Sequence, residues 1–238
     1  MAWPHGDAEH GLYADRSAAG RALAAELGEY AVSPSLGSSS SSEDTLPPLV
    51  LGLSRGGVAV AAEVARALGL PFDVVPARKL GIPGHEEVAF GAIAACDGVR
   101  RSDVDRPLMR RLLAAGFTEA SLDRVREREA AELERQENLY LGGRGQGAAG
   151  RAVIVCDDGA ATGDTARAAI AAVRAAGASA VVLALPVAPP VVVRELAALV
   201  DRVVCPRQPH GFRSVGGAYV SFPQCSDEEV MDLLAARG

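Results

Sequence analysis

Residues 153–165 read VIVCDDGAATGDT, an apolar run that ends at two adjacent aspartates and a loop of small residues. The apolar run predicts a buried strand of a parallel sheet, and the alanine-rich stretch after the loop predicts a helix. In such sheets, ligands bind beyond the carboxyl ends of the strands, which is where this loop would lie. The stretch therefore indicates a fold class and a binding site together.

The loop has the composition of an anion-binding site. The backbone N–H groups of residues 159–165 can converge on a phosphate, helped by the positive end of the following helix. Thr162 and Thr165 add hydroxyl donors. Asp157 and Asp158 would repel a phosphate, so we expect them to serve another part of the same ligand, such as adjacent sugar hydroxyls or a bound cation. A phosphorylated sugar meets both demands, and the alternative is a polar turn without a ligand.

A second strand–turn–helix unit lies earlier in the chain. Residues 49–81 read LVLGLSRGGVAVAAEVARALGLPFDVVPARKLG, with a short apolar strand, the turn SRGG, a helix closed by Gly69 and a further strand. Residues 191–208 add another helix and strand. Strands that alternate with helices predict an α/β fold, with a mostly parallel twisted sheet and helices on both faces.

Shifts in composition divide the chain into four segments. A first helix, capped by Asp15 or Ser17, would pack on the core, and a serine-rich flexible linker would follow it. A flexible loop and a helical insert would interrupt the core, and Ser226 or Asp227 would cap a short helix in the tail. The boundaries are residues 1–32 for the N-terminal helix, 33–48 for the linker, 49–208 for the core with its insert at 82–150, and 209–238 for the tail.

The insert carries local signals of its own. Asp97 and Gly98 predict the turn of a hairpin. Thr118 is expected to cap a long helix over residues 118–141, whose interleaved charges predict a solvated face. The glycine-rich residues 142–150 predict a mobile connector.

Composition argues against several classes of function. The chain has 238 residues, 49% of them hydrophobic but only 4% aromatic, so aliphatic residues and alanine must fill the core. A formal net charge of −6 disfavours a general nucleic-acid surface. No apolar run approaches the roughly 20 residues of a membrane span, and the polar start MAWPHGDAEH is typical of neither a signal peptide nor a transit peptide. We expect neither a nucleic-acid nor a membrane partner.

The cysteines lack the spacing of a metal site or a disulfide framework. The four are scattered along the chain, at Cys96, Cys156, Cys205 and Cys225. This pattern predicts reduced thiols in a cytoplasmic protein.

Other phosphate-binding loops do not fit the sequence, which contains neither GxxxxGK[ST] nor GxGxxG. A receiver domain also presents paired acids after a strand, but near its N-terminus and with a further phospho-acceptor aspartate.

The stretch 153–165 resembles the signature of the type I phosphoribosyltransferases, which has an apolar strand, two acids, a short loop with Thr-Gly and a closing Thr. Residues 51–75 resemble the pyrophosphate loop and following helix of that family, and residues 77–94 resemble the entry to its flexible catalytic loop. More narrowly, ADRSAAGRALAAEL (14–27), RKLGIPG (78–84) and VGGAYVSFPQCSDEEVMDLL (215–234) resemble a little-characterised bacterial branch of the family.

The resemblance implies a ligand, 5-phosphoribosyl 1-pyrophosphate with Mg²⁺, and roles for individual residues. Asp157 and Asp158 would bind the ribose hydroxyls, directly or through the water shell of the Mg²⁺. Arg78 and Lys79 would add positive charge, and Phe212 is a candidate to stack on a base. The 5-phosphate would be held by Gly159, Ala160, Ala161, Thr162, Gly163, Asp164 and Thr165, and the pyrophosphate by Ser54, Arg55, Gly56 and Gly57.

The resemblance also implies a reaction, which is displacement of pyrophosphate at ribose C1 with Arg55, Lys79, Asp157 and Asp158 as the catalytic group. It further implies a cis Ser54–Arg55 peptide, a hood over the acceptor formed by the tail, and a lid within residues 82–104. Gly56 and Gly57 lack a Cβ, so they can take positive φ values if the turn requires them. The expected partners are small molecules, with a homodimer as a candidate assembly.

Departures from the family pattern limit the choice of acceptor. Ala161 replaces the aspartate that acts on the purine in 6-oxopurine enzymes, which argues against hypoxanthine and guanine but not against adenine. Gly159 replaces a branched apolar residue, and Asp164, a third acid near the phosphate, is expected to point outward as a helix cap.

Three functional hypotheses remain open from the sequence. The first is a transferase with an unidentified small-molecule acceptor. The second is a non-catalytic sensor of 5-phosphoribosyl 1-pyrophosphate, although no helix-turn-helix or basic extension supports direct control of DNA. The third is a degenerate structural copy, which the intact Asp157–Asp158 pair and the intact Thr162-Gly163 disfavour.

Overall fold

The structure, a computed structural model, describes residues 12–31 and 46–236. Within these ranges the chain forms eight strands and seven α-helices. The strands are β1 (Leu49–Leu53), β2 (Phe72–Val75), β3 (Ala77–Ile82), β4 (His85–Cys96), β5 (Val99–Val104), β6 (Ala152–Cys156), β7 (Ala180–Ala184) and β8 (Arg202–Val204). The helices are α1 (Arg16–Glu26), α2 (Gly56–Leu68), α3 (Arg106–Ala114), α4 (Glu119–Leu141), α5 (Asp164–Ala175), α6 (Pro190–Ala197) and α7 (Asp227–Ala235).

Five of the strands form a parallel sheet in the order β2-β1-β6-β7-β8. The central pair is in register, with Gly52 opposite Cys156, so β1 and β6 end at the same level. The loops that follow these two strands therefore open at one edge of the sheet, as the sequence predicts. The other three strands form a separate antiparallel sheet in the order β3-β4-β5.

Alternate residues of the central strands supply two apolar cores, because successive side chains of a strand point to opposite faces. Val50 and Ile154 pack with α1 and α2 on one face. Leu51 and Val155 pack on the other face with α5 and with buried alanines of β4. Both faces of the sheet are covered by helices, which confirms the predicted α/β class.

The segment expected to be a lid, residues 82–104, is mostly a hairpin that packs on the core. Asp97 and Gly98 form its turn with φ values of 48° and 74°, as predicted. Phe90 and Ala92 are fully buried, so the prediction of a lid is wrong for residues 82–104 as a whole. The candidate lid is reduced to residues 84–88, the exposed segment formed by the end of the β3–β4 turn and the start of β4.

The connector at 142–150 is anchored rather than mobile over residues 146–148. The buried Gln146 accepts a hydrogen bond from the Asp97 amide (2.8 Å) and donates one to the carbonyl of Val74 (2.9 Å). The Asp97 carboxylate accepts from the amides of Gly147 and Ala148 at 2.9 and 2.8 Å. These contacts fasten the connector to the hairpin turn. The glycine-rich sequence of the segment does not indicate this anchoring.

The termini of the predicted helices agree with the sequence signals. Asp15 caps α1 by accepting from the amide of Ala18. Thr118 caps α4 in a reciprocal pair with Ser121, and Ser226 caps α7 in the same way with Glu229.

Of the expected linker at 33–48, only residues 46–48 lie within the described ranges, where the carbonyl of Pro47 accepts a hydrogen bond from Arg151. In the described part of the chain, no helix combines the length and the apolar character needed to cross a membrane.

Candidate functional site

Two loops meet at the carboxyl edge of the parallel sheet. The first loop, residues 54–57, comes after β1, and the second loop, residues 159–165, comes after β6. A Cβ atom added to Gly56 would lie 1.9 Å from Oδ2 of Asp158, and one added to Gly57 would lie 2.7 Å from the carbonyl oxygen of Cys156. Neither glycine has a positive φ, so the backbone conformation that glycine permits is not used at these two positions. Glycine is required here because the loops approach too closely for a side chain. The Ser54–Arg55 peptide is cis, as the resemblance implies.

The paired aspartates occupy a half-buried position between the two loops. Burial raises the pKa of Asp157 well above its usual range, and the neighbouring charge of Asp158 raises it further. Burial also raises the pKa of Asp158, which is opposed by the charge and hydrogen bond of Arg16 and then by the charge of Lys79. Lys79 is exposed, and it acts on the pair through its positive charge. The role expected of Lys79 in the reaction stays a prediction.

Arg16 of α1 is the side chain that the sequence analysis missed at this position. Its Nε donates to Oδ2 of Asp158 at 2.8 Å, and its side chain is 13% exposed beside 15% for Asp158. A second nitrogen of Arg16 donates to the carbonyl of Pro223 at 2.7 Å, and the guanidinium lies 3.9 Å from the ring centroid of Phe222. Arg16 therefore connects the N-terminal helix, the aspartate pair and the tail.

The tail also contacts the aspartates directly. The hydroxyl of Tyr219 donates to the carbonyl oxygen of Asp158 at 2.5 Å, and burial raises the pKa of Tyr219. Tyr13 exchanges backbone hydrogen bonds with the same part of the tail, so the N-terminal segment and the tail form one unit over the site. Phe212 is half-buried in the cluster around Tyr13 and Val187, which favours packing over the expected role in stacking on a base.

Helix α4 already engages Ser54 of the first loop and Arg78 of β3. The hydroxyl of Ser54 donates to Gln136 (3.1 Å) and accepts from the amide of Ala77 (3.0 Å). Arg78 forms two hydrogen bonds with the buried carboxylate of Glu129, at 2.9 and 2.8 Å. The charge of Arg78, expected to face a ligand, is therefore paired within the protein.

Arg55 faces the N-terminus of α7. Its guanidinium lies 3.5 Å from Oδ1 of Asp227. The same carboxylate accepts from Arg135 at 2.6 Å and from the hydroxyl of Tyr140 at 2.5 Å. Two arginines and a phenol thus converge on one anion beside the first loop.

The second loop keeps the amide donors that a phosphate would need. Gly159 and Gly163 have φ values of 146° and 80°, which favour glycine, and α5 begins at Asp164. Among the described residues, the amides of residues 161–166 have no hydrogen-bond partner. Asp164 accepts from the hydroxyl of Thr162 at 2.6 Å instead of capping the helix, so its expected role as a cap is not observed.

The donor atoms present at the site fit Mg²⁺. Asp157 and Asp158 offer carboxylate oxygens, the ligands that hard cations prefer. Oδ1 of Asp157 accepts from the Asp158 amide and Oδ2 of Asp158 accepts from Arg16, which leaves one oxygen on each residue for a metal-bound water. Within residues 12–31 and 46–236, no group of three or more His, Cys, Asp and Glu side chains is arranged to hold a metal by itself.

The geometry agrees with comparisons to known proteins. The profile of the phosphoribosyl transferase domain matches residues 37–216, which is most of the chain. The chain belongs to the phosphoribosyl transferase family. Two Mycobacterium tuberculosis relatives, from strains CDC 1551 and H37Rv and both named "putative phosphoribosyl transferase", are 41% identical to this chain over 226 residues. That alignment covers 94% of this chain but 46% of each relative, so the chain spans about half the length of the curated relatives it matches.

A solved structure is similar over the whole fold. The crystal structure of TT1426 from Thermus thermophilus has a TM-score of 0.70 and 35% identity, and the match covers 94% of this chain and 98% of that chain. Arg16 and Asp227 both lie outside the matched phosphoribosyl transferase domain. The candidate site therefore includes charged residues from segments on both sides of the matched domain.

Proposed function

We propose that this phosphoribosyl transferase binds 5-phosphoribosyl 1-pyrophosphate with Mg²⁺ and transfers the phosphoribose to a small-molecule acceptor, with release of pyrophosphate. The observation that carries the proposal is the position of Asp157 and Asp158. The two carboxylates lie between two glycine-containing loops that open at the same edge of the sheet. This arrangement suits a sugar that carries an anionic group at each end.

The second loop would bind the 5-phosphate. The unpaired amides of residues 161–166 and the positive end of α5 favour a bound anion. Thr165 would add its hydroxyl, and that of Thr162 would do so after leaving the carboxylate of Asp164. The adjacent Asp157 and Asp158 would then accept hydrogen bonds from the ribose hydroxyls, which fixes the direction in which the sugar lies.

The first loop would bind the pyrophosphate at the other end of the sugar. Arg55 and the amides of Gly56 and Gly57, at the N-terminus of α2, would stabilise negative charge as the leaving group departs. When bound, Mg²⁺ would be held mainly by pyrophosphate oxygens and waters and would supply further electrostatic stabilisation.

In the transfer, the bond between ribose C1 and the pyrophosphate oxygen breaks, and its electron pair leaves with pyrophosphate. A lone pair of the acceptor forms the new bond to C1, and a neutral acceptor releases its proton to solvent or to the departing pyrophosphate. The exposed residues 84–88 are the candidate lid, which would limit access of water that could otherwise hydrolyse the activated sugar. Ala161 cannot act as an acid or base on the acceptor, which disfavours 6-oxopurines.

A sensor that binds the same ligand without transferring it is the alternative function. One observation favours it. The guanidinium groups of Arg55 and Arg78 are paired with Asp227 and Glu129, so part of the expected positive charge is already neutralised.

Two measurements test the proposal. Isothermal titration with 5-phosphoribosyl 1-pyrophosphate and Mg²⁺ should show binding, and the Asp157→Asn variant should bind about tenfold or more weakly because a charge-assisted hydrogen bond is lost. Asp157 is the better position to vary, because a change at Asp158 would also deprive the buried Arg16 of its carboxylate partner. A screen of candidate acceptors for pyrophosphate release then separates a transferase from a sensor. Absence of binding by the unmodified chain would refute both functions.

A further inference from the structure

Arg16 is held at the site by three independent contacts. Its guanidinium bonds to Oδ2 of Asp158, bonds to the carbonyl of Pro223 and stacks on Phe222. At 13% exposure it is more enclosed than Arg55, which is 30% exposed. An arginine held in this way has little rotational freedom, so it can fix the position of the group it binds.

The position of Asp158 is determined by two neighbours. On one side Gly56 leaves no room, since a Cβ there would lie 1.9 Å from Oδ2 of Asp158 and 3.0 Å from Nε of Arg16. On the other side Arg16 holds the same oxygen. The carboxylate is thus confined between the first loop and α1, with its other oxygen left to accept from a ligand.

We propose that Arg16 is a positioning residue that, through Asp158, makes the sugar site selective for the hydroxyl groups of a ribose. This inference rests on the proposed function. Because Arg16 occupies only Oδ2, it orients Oδ1 of Asp158 toward the sugar and does not compete with it. Without Arg16, the carboxylate would be free to rotate, and a hydroxyl on the sugar would gain little from it.

The contact also ties selectivity to both ends of the chain. Arg16 lies on α1 and its two other partners lie in the tail, while Tyr219 of the tail bonds to the backbone of Asp158. The matched domain at 37–216 includes Asp158 but not Arg16, Phe222 or Pro223. Selectivity for the sugar would therefore depend on segments added outside that domain.

The test compares sugars that differ by one hydroxyl. Isothermal titration would measure the affinities for ribose 5-phosphate, 2-deoxyribose 5-phosphate and 3-deoxyribose 5-phosphate in the unmodified chain and in Arg16→Met, Arg16→Lys and Arg21→Met. All three sugars carry the same phosphate, so the loss of a positive charge changes their affinities alike and cancels in the ratio. Arg21, on the same helix, is 55% exposed and serves as the matched control.

The unmodified chain should prefer ribose 5-phosphate over at least one deoxy sugar by about tenfold, the effect of a charge-assisted hydrogen bond. Arg16→Met should reduce that preference to about twofold or less. Arg16→Lys, which keeps a donor for Asp158, should retain part of it, and Arg21→Met should retain all of it. The Lys variant keeps the test informative if the Met variant does not fold.

Two results would overturn the inference, and only the second would also contradict the proposed role of the aspartates. If Arg16→Met folds and keeps the full preference, or if Arg16→Lys does so when the Met variant does not fold, the positioning role is wrong and the proposed function is untouched. If the unmodified chain binds none of the three sugars, or binds them equally, both the inference and the proposed role of the aspartates fail.

Discussion

The carboxylate of Asp227 lies 3.5 Å from the guanidinium of Arg55, the residue proposed to bind pyrophosphate. Asp227 is the first residue of α7, and it also accepts hydrogen bonds from Arg135 and Tyr140. Arg55 and Asp227 are 30% and 28% exposed, so this is a partly solvated contact that another anion can compete for. The C-terminal helix thus places an acid where a substrate anion would bind.

We expect Asp227→Asn to tighten the binding of pyrophosphate by about fivefold, because a partly exposed ion pair contributes about 1 kcal/mol and its loss releases two arginines for the ligand. Isothermal titration with pyrophosphate and Mg²⁺ measures the effect. Ser226 remains as the helix cap, so α7 should persist.

The control for this variant is Glu228→Gln, which removes the same charge from an exposed position in the same turn. It should change pyrophosphate binding less than twofold. Weaker binding by Asp227→Asn would mean that Asp227 orients Arg55 for the ligand instead of competing with it.

Gly56→Ala and Gly57→Ala should have different consequences. A methyl group at Gly56 meets the end of the Asp158 side chain, which can move aside only by giving up its bond to Arg16, whereas one at Gly57 meets the carbonyl of Cys156 and the Cα of Asp157 at 2.7 and 2.8 Å. We expect Gly57→Ala to lose about 1–3 kcal/mol of stability, because backbone must move. Gly56→Ala should fold but bind ribose 5-phosphate about tenfold more weakly.

Chemical unfolding and titration of the two glycine variants separate these effects. Equal stability of the two variants would indicate that the sheet edge adjusts more easily than the contacts suggest. Normal binding of ribose 5-phosphate by Gly56→Ala would argue against a role for Asp158 in sugar binding.

Asp97→Ala should lower stability by about 2–3 kcal/mol. The substitution removes two hydrogen bonds to the connector and places alanine at a φ of 48°, which alanine disfavours. Asp97→Asn should cost less, because asparagine tolerates this φ and keeps one acceptor oxygen. Thermal unfolding of the two variants measures the difference, and equal losses would mean that the carboxylate charge dominates.

Asp73 predicts a pH dependence of stability. Burial raises the pKa of its carboxyl, against the opposing hydrogen bonds of Val74 and Arg144. The folded state therefore holds a proton that the unfolded state has released, so stability falls as pH rises from the usual pKa of aspartate, about 4, to the raised value. Asparagine does not titrate, so the stability of Asp73→Asn relative to the unmodified chain should be higher at about pH 7 than at about pH 4.

Urea unfolding of both proteins at the two pH values measures this difference. The opposite trend would show that the ion pair with Arg144, at 2.6 Å, outweighs burial. Arg144→Gln serves as a second comparison, because it removes the partner and should raise the pKa of Asp73 further.

The sequence determined the α/β class, the two loops and most helix caps, because these depend on local patterns. Apolar runs followed by glycine-bearing turns place both loops at the carboxyl edge of a parallel sheet, and Asp15, Thr118 and Ser226 cap helices through bonds to residues three positions away. The hairpin turn at Asp97 and Gly98 is equally local.

The sequence of α4 contained one signal for the site, which is a pair of polar residues on its buried face. The interleaved charges of the helix led instead to the prediction of a solvated face. The buried positions of that helix recur every three or four residues, and two polar residues, Glu129 and Gln136, fall within this stripe. A polar residue on a buried face must find a partner. Their partners are Arg78 and Ser54, which the sequence assigned to the ligand.

Only the tertiary structure decided which charges meet. Arg16 and Asp158 are separated by 142 positions in the chain, and Arg55 and Asp227 by still more, so no periodicity relates them. Their pairing follows from how α1, α7 and the tail pack around the sheet edge, which depends on the shape of the buried surfaces. The sequence thus determined where a ligand can bind, whereas the packing of the chain ends decided which acids and arginines surround it.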